Sequence, residues 1–248
     1  MKGIILAGDS GSRLHPLTLS IPKQLLPVYN KPMIYYPLST LIRSGVKDIL
    51  IITTKDYQAS FQKCLSGLVD DNIHLSYTYQ ENPEGVAQAI MIGQEFIGED
   101  SLCLITGDTL IIGSSLYKQL DTAFKAAEKS GQATIFVDQD YDPNQYGVVV
   151  LGNKGAHTQI LSQSNKPNYY SITGLYVFPN VVLKHVFQVE KSERNRYEIT
   201  SVSKVFHESN KLQIQKLGKD CVWLDTTTFD NILKSSQYIQ NIQKECLS

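Results

Sequence analysis

Apolar residues recur along this chain in two rhythms. Short, nearly unbroken apolar runs at Gly3–Ala7, Asp48–Thr54 and Ser101–Thr106 read as strands buried on both faces. Between and after them, apolar positions return every three or four residues, which predicts helices over Pro32–Ser44, Ala59–Leu65, Gly85–Ile97 and Leu116–Lys129. A strand over His74–Gln80 and another over Ala133–Asp138 extend the alternation. Strand, helix and strand in that order make βαβ units, so the sheet is expected to begin parallel.

The rhythm changes in the second half. Tyr146–Leu151 and Ser171–Phe178 read as strands of an antiparallel or mixed region, and the polar stretch Asn153–Asn168 between them reads as a loop or hairpin connection. Thr228–Lys244 carries Ile232, Leu233, Tyr238, Ile239 and Ile242 near helical spacing, which predicts a terminal helix packed on the sheet. With no composition break or linker, the 248 residues are expected to form one domain, 1–248.

Composition narrows the class of protein. Lys plus Arg number 23 against 24 Asp plus Glu, so no net charge favours nucleic acid or an anionic membrane as partner. The four cysteines, Cys64, Cys103, Cys221 and Cys246, lack C-x-x-C spacing and are expected to be reduced thiols. No apolar run approaches a membrane span, and a cytoplasmic protein is expected.

Candidate chemistry begins where the first strand ends. Gly8-Asp9-Ser10-Gly11-Ser12-Arg13 makes a glycine-containing loop with an arginine, and Pro22-Lys23-Gln24 follows soon after. Backbone N–H groups and two cations in this order suit a triphosphate. The loop lacks the Gly-Lys-Ser/Thr ending of a P-loop and the full spacing of a dinucleotide fold; alone, it also fits a plain turn from strand to helix. A later strand ends in Gly107-Asp108, at the sheet edge where ligands gather in open α/β folds. Taken alone, that aspartate also fits a turn or a helix cap.

The combination is more specific than its parts. Lys2–Leu14, Ser20–Val28, Lys31–Leu41, Gly85-Val86-Ala87-Gln88-Ala89, Tyr146-Gly147-Val148, Ile172-Thr173-Gly174-Leu175-Tyr176 and Trp223-Leu224-Asp225-Thr226 are collinear with the signatures of one family. On these segments the chain resembles the sugar-1-phosphate nucleotidyltransferases, and within them the members that make dTDP-glucose. The resemblance implies a Rossmann-like three-layer α/β/α fold with a mainly parallel, mixed central sheet, and in-line attack of a sugar 1-phosphate on the α-phosphorus of dTTP or UTP. Charge accumulates in such a transition state, so electrostatic stabilisation carries most of the catalysis.

Residue by residue, the resemblance makes Arg13 the neutraliser of the triphosphate and departing pyrophosphate, and Lys23 a second phosphate cation. Gly8, Gly11, Ser12 and Gln24 line the nucleotide, while Gln80 and Gly85 meet the pyrimidine. Asp108 and Asp225 hold Mg²⁺, whose preference for hard oxygen ligands they suit. Gly147, Ile172, Gly174 and Arg194 face the sugar phosphate. A homo-oligomer, tetramer or dimer, is implied as well.

The chain departs from the family at several points. Asp9 replaces the second glycine of the loop, which sets a carboxylate either against the triphosphate or outward into solvent. Leu161-Ser162-Gln163-Ser164 stands where the family carries a charged Glu-Glu-Lys-Pro run, and Lys166-Pro167 lies close by. Thr109, Ser201 and Thr227 replace an asparagine, an aspartate and a glycine. The chain also ends soon after its terminal helix and so resembles a short form. These losses leave three expectations: a thymidylyltransferase acting on glucose 1-phosphate, a transferase with another sugar-phosphate acceptor, or a weakened homologue that binds nucleotide or sugar nucleotide and serves as a regulatory or assembly partner.

Overall fold

The computed structural model describes residues 1–139, 146–150, 159–161 and 169–245. Strand β1 (Lys2–Leu6) feeds a loop with three short 3-10 turns, then a hairpin of β2 (Pro27–Val28) and β3 (Lys31–Pro32), and helix α1 (Tyr35–Arg43). Next come β4 (Asp48–Thr54), α2 (Gln58–Leu65), β5 (His74–Gln80), α3 (Gln88–Ile92), α4 (Gln94–Ile97), β6 (Leu102–Thr106) and β7 (Leu110–Ile112). The chain continues through α5 (Ser115–Ser130), β8 (Ala133–Asp138), β9 (Val148–Val150), β10 (Gln159–Leu161), β11 (Tyr169–Phe178), α6 (Val182–Val186) and α7 (Ile199–Glu208). It finishes with β12 (Leu212–Lys216), β13 (Val222–Leu224) and α8 (Phe229–Glu245).

Nine strands form the central sheet, with the path β10-β9-β11-β6-β1-β4-β5 and with β8 and β12 branching from β11. Following the pairings outward from β1, seven of the nine run one way and only β10 and β11 oppose them. The expected mixed, mainly parallel sheet is thus present. Alternate residues of its central strands bury on opposite faces, as the two-residue strand repeat requires. Ile4, Leu50, Ile52, Leu102 and Leu104 pack with α3, α6 and α7, whereas Ile5, Ile49, Ile51, Cys103 and Ile105 pack with α1, α2 and α5. Helix, sheet and helix are three layers with a separate core on each side. A third apolar cluster, Val28, Met33, Leu110, Leu224 and Ile239, ties β2, β7, β13 and α8 together.

Several expectations shift. Lys31 and Pro32 belong to the hairpin, so α1 starts at Tyr35 rather than Pro32. The helix expected over Gly85–Ile97 begins only at Gln88 and is interrupted at Gly93. Gly85 lies at φ +112° with the backbone of Tyr197 packed against it, a geometry no helix accepts. Of the predicted Tyr146–Leu151 strand, Val148–Val150 is observed, and Leu151 lies outside the described residues. Asn153–Asn168 contains β10, antiparallel to β9, as a hairpin requires; Gln163, Lys166 and Pro167 lie outside the described residues. Helices α6 and α7 and strands β7, β12 and β13 had no expectation at all. Among the described residues no helix is long and apolar enough to cross a membrane, and Cys64, Cys103 and Cys221 are unpaired thiols.

Strand β11 contains the one bend that matters for the cleft. It pairs β9 through Tyr169–Ser171 and β6 through Leu175–Phe178, and its register against β8 slips between Ile172 and Tyr176. Gly174, at φ +87°, takes the slip. A Cβ there would stand 2.5 Å from Thr109 Oγ1 and 2.6 Å from Thr106 Oγ1. A bulge of this kind re-aims side chains at a sheet rim. Gly174→Ala is expected to cost about 1–3 kcal/mol, seen as a fall of several degrees in the thermal midpoint by circular dichroism; an unchanged midpoint would show that the bulge relaxes freely.

Candidate active site

The strands β1, β4, β5 and β6 deliver their carboxyl ends to one side of the sheet, where a cleft of about 630 Å³ opens. All fourteen residues singled out in the sequence line it: Gly8, Gly11, Ser12, Arg13, Lys23, Gln24, Gln80, Gly85, Asp108, Gly147, Ile172, Gly174, Arg194 and Asp225. They come from loops more than 200 residues apart in sequence, and the sheet brings them together.

At the centre of the cleft the Lys23 ammonium donates to Asp108 Oδ2 at 2.5 Å. Lys23 has a side chain only 4% exposed, so its charge needs a partner. Its direction is set by backbone bonds: Leu26 N–H donates to the Lys23 carbonyl, and Met33 and Ile34 N–H groups donate to Leu26 and Gln24, pinning the Pro22–Leu26 turn against the start of α1. Burial pushes the Asp108 carboxyl up, but the Lys23 charge and hydrogen bond, with the Thr106 hydroxyl and a backbone N–H, more than offset this and leave it below the usual carboxylate value. Neighbouring Gln24 is buried, and its Oε1 has no partner among the described residues.

The glycine loop rises beside this pair. Thr18 Oγ1 donates to the Gly11 carbonyl at 2.7 Å, and Leu14 buries completely behind the loop. Arg13, in the turn that follows, is exposed along the cleft wall. Asp9 is exposed as well, yet it does not simply point away: its Oδ1 accepts the Gly11 N–H at 3.3 Å. One donor that a phosphate would use is taken by the chain's own carboxylate.

The second carboxylate is held from the C-terminal side. Asp225 Oδ1 accepts the Thr227 N–H at 2.7 Å, and its Oδ2 accepts Thr227 Oγ1 at 3.0 Å and Asn231 Nδ2 at 2.5 Å. Thr227, a departure in the sequence, thus orients the carboxylate. Tyr146 packs edge-on against Trp223 at 4.7 Å, and burial, then Asp225 and Asp108, push its phenol far above the ordinary value. Thr109 Oγ1 donates to the Thr173 carbonyl at 2.8 Å, which fastens the end of β6 to the β11 bulge. Tyr146, Thr109, Thr227 and Asn231 escaped the sequence reading as site-builders, because their roles come from contacts between residues far apart in the chain or from orienting another group.

Among the described residues no three His, Cys, Asp or Glu side chains cluster. Asp108 and Asp225 both line the cleft, and their hard carboxylate oxygens fit a divalent cation. At the far rim Arg194 donates to Glu198 Oε1 at 3.0 Å, and Ser192 Oγ donates to the same oxygen. Gln80 is 2% exposed and sits beside Gly8, while Gly85 turns against Tyr197, next in sequence to Glu198.

The lowered Asp108 carboxyl has a consequence for stability. Its contribution is present above the ordinary carboxylate value of about 3.9 and is lost as pH falls through the folded value. Lys23→Met removes the Lys23 charge and hydrogen bond, leaving burial opposed only by the Thr106 hydroxyl and a backbone N–H. The variant is expected to lose about 1–3 kcal/mol near neutral pH, with the deficit shrinking as pH falls towards about 4. Thermal melts across pH check this; a deficit constant with pH would remove the pair from the electrostatics of the fold.

A sequence model described as nucleotidyl transferase matches residues 2–242. Glucose-1-phosphate thymidylyltransferase of Neisseria meningitidis is 41% identical over 244 residues, spanning 98% of this chain and 84% of its own. The protein of that name from Mycobacterium tuberculosis is 40% identical over 248 residues, with 98% and 84% covered. A solved Bacillus anthracis structure, described as a candidate glucose-1-phosphate thymidylyltransferase with sucrose bound, has a TM-score of 0.85 at 28% identity, covering 96% of this chain and 94% of that one. A UDP-glucose pyrophosphorylase complexed with UDP-glucose shares the fold at TM-score 0.81 and 18% identity, covering 97% and 98%. Fold, cleft and a match over nearly the whole sequence agree, and the chain belongs to the nucleotidyl transferase family.

Proposed function

We propose that this protein transfers the thymidylyl group of dTTP to glucose 1-phosphate, giving dTDP-glucose and pyrophosphate. The observation that carries the reading is the Lys23–Asp108 pair, which lines one cleft together with the glycine loop and Asp225. The relatives named for this reaction support the choice of dTTP and glucose 1-phosphate over UTP and other sugars.

Arg13 and Lys23 bind the triphosphate and hold the charge of the departing pyrophosphate, with the N–H groups of the Gly8–Ser12 loop beside them. Gln80 and Gly85 meet the pyrimidine; Gly147, Ile172, Gly174 and Arg194 meet the sugar phosphate. Asp108 and Asp225 would hold Mg²⁺, which supplies neutralisation of phosphate charge when bound. Asp225 is already oriented for this by Thr227 and Asn231, so little reorganisation is needed at that ligand. The work is expected to be done in solution by a homo-oligomer.

One observation favours a second reading, a weakened homologue that binds nucleotide. The Asp9 carboxylate occupies the Gly11 N–H and adds negative charge beside the phosphate loop. Pyrophosphate release with Mg²⁺, dTTP and glucose 1-phosphate decides between the two, with UTP and other sugar 1-phosphates in parallel. Robust release with the first pair supports the transferase; dTTP binding without release for any pair supports the binder.

Two variants follow. Asp108→Asn is expected to lower turnover at least about tenfold, and unchanged turnover would remove Asp108 from the mechanism. Asp9→Gly frees one backbone donor and is expected to tighten dTTP binding about two- to tenfold; calorimetry showing equal or weaker affinity would mean that Asp9 has acquired a role of its own.

A further inference from the structure

Beneath the base end of the cleft lies a chain of hydrogen bonds in which every donor and acceptor is determined. The backbone N–H of Glu84 can only donate, and it points at Gln88 Oε1, 2.9 Å away. That assigns the Gln88 amide: its oxygen faces Glu84 N–H, and its Nε2 donates to Glu84 Oε2 at 3.3 Å. Glu84 Oε1 in turn accepts the Lys191 ammonium at 2.5 Å. The Glu84 backbone is itself fixed, because Tyr197 N–H donates to its carbonyl at 2.6 Å and Ala87 N–H donates to Tyr197 O at 3.2 Å.

Gln88 Oε1 is therefore an acceptor, and the Gln80 group 2.5 Å from it must be a donor. Gln80 consequently presents Nε2 to Gln88 and cannot turn its amide over without setting two oxygens against each other. Its own Oε1 then faces Gly8, where a side-chain carbon would collide with it. The carbonyl oxygen and one N–H of Gln80 remain for a ligand, in one fixed order.

A pyrimidine edge reads that order. Thymine and uracil offer a ring N–H flanked by a carbonyl, which match an amide oxygen and an amide N–H. In the same pose cytosine offers a bare ring nitrogen and an amino group, the reverse, and a freely turning glutamine would serve both equally well. We propose that Gln88 is a positioning residue for base selection: by locking the Gln80 amide in one orientation it makes the cleft reject a cytosine nucleotide that it would otherwise accept. This rests on the thymidylyl reading of the cleft and adds to it the device that enforces the base preference.

The test compares kcat/KM for dTTP and dCTP, each with glucose 1-phosphate, in the wild type, Gln88→Leu, Gln88→Met and the exchange Glu84→Gln/Gln88→Glu. Removing the acceptor in the first two frees the Gln80 amide, and the dTTP/dCTP ratio is expected to fall at least about tenfold. The exchange keeps an acceptor for Gln80 Nε2 and a donor–acceptor pair between positions 84 and 88, so its ratio is expected to stay near that of the wild type. Thermal melts confirm that each variant is folded, and the two single variants guard against failure of one. Wild-type turnover of dTTP with an unchanged ratio in the folded single variants overturns this inference alone, since a merely structural role lowers both rates together. A wild type that neither turns over nor binds dTTP overturns the thymidylyl reading, and this inference with it.

Discussion

The parallel pairing of β1 with both β4 and β6 is the constraint on which the cleft depends. The ladder runs to the ends of β1 and β6: Ala7 N–H donates to the Ile52 carbonyl and Gly107 N–H to the Leu6 carbonyl. The loop after β1 and the loop after β6 therefore start at one level and side by side. Only in that arrangement does a lysine on the first reach an aspartate on the second, 85 residues later. A one-residue slip in either pairing would turn Ile4 and Ile5 to the wrong cores and carry Asp108 to the other face.

Burial gives this ion pair its character. A lysine as enclosed as Lys23 is costly unless matched, and an aspartate in the same place would be driven towards its neutral form. The Lys23 charge and hydrogen bond hold the Asp108 carboxyl below the usual carboxylate value, so the cleft sets a cation and an anion side by side before any substrate arrives. Preorganisation of that sort lets charge developing on phosphate oxygens meet fixed partners rather than slowly reorienting water. Asp225 is oriented instead by hydrogen bonds from Thr227 and Asn231.

The two ends of the cleft use different means. At the Gln80 end, Glu84, Gln88, Gln80 and Lys191 form a network whose amides have one consistent orientation, and such networks enforce a single geometry. At the other end the β11 bulge at Gly174 opens room, with Thr109 fastening it to the end of β6. Rigid hydrogen bonding suits a flat base edge read in a fixed order. A bent strand with a glycine suits a ligand that must approach the backbone closely.

By itself the sequence determined the elements whose periodicity is strong and local: β1, β4, β5, β6, β8, α1, α2, α5 and α8 all lie within a few residues of their expected positions. It also determined which candidate site residues stand at strand ends, because Gly8, Gln80 and Asp108 each lie at or just past the end of a predicted strand. The pieces it left unread are short or depend on distant partners. Gly85 is barred from a helix only by the backbone of Tyr197, and α7 and β12 draw their burial from strands far away in the chain. The tertiary structure alone decided that Thr227 steers Asp225, that Asp9 turns back onto Gly11, and that Gln88 sets the direction of the Gln80 amide. A residue's type limits which hydrogen bonds it can make, but which one it does make depends on the groups that folding brings within three ångströms.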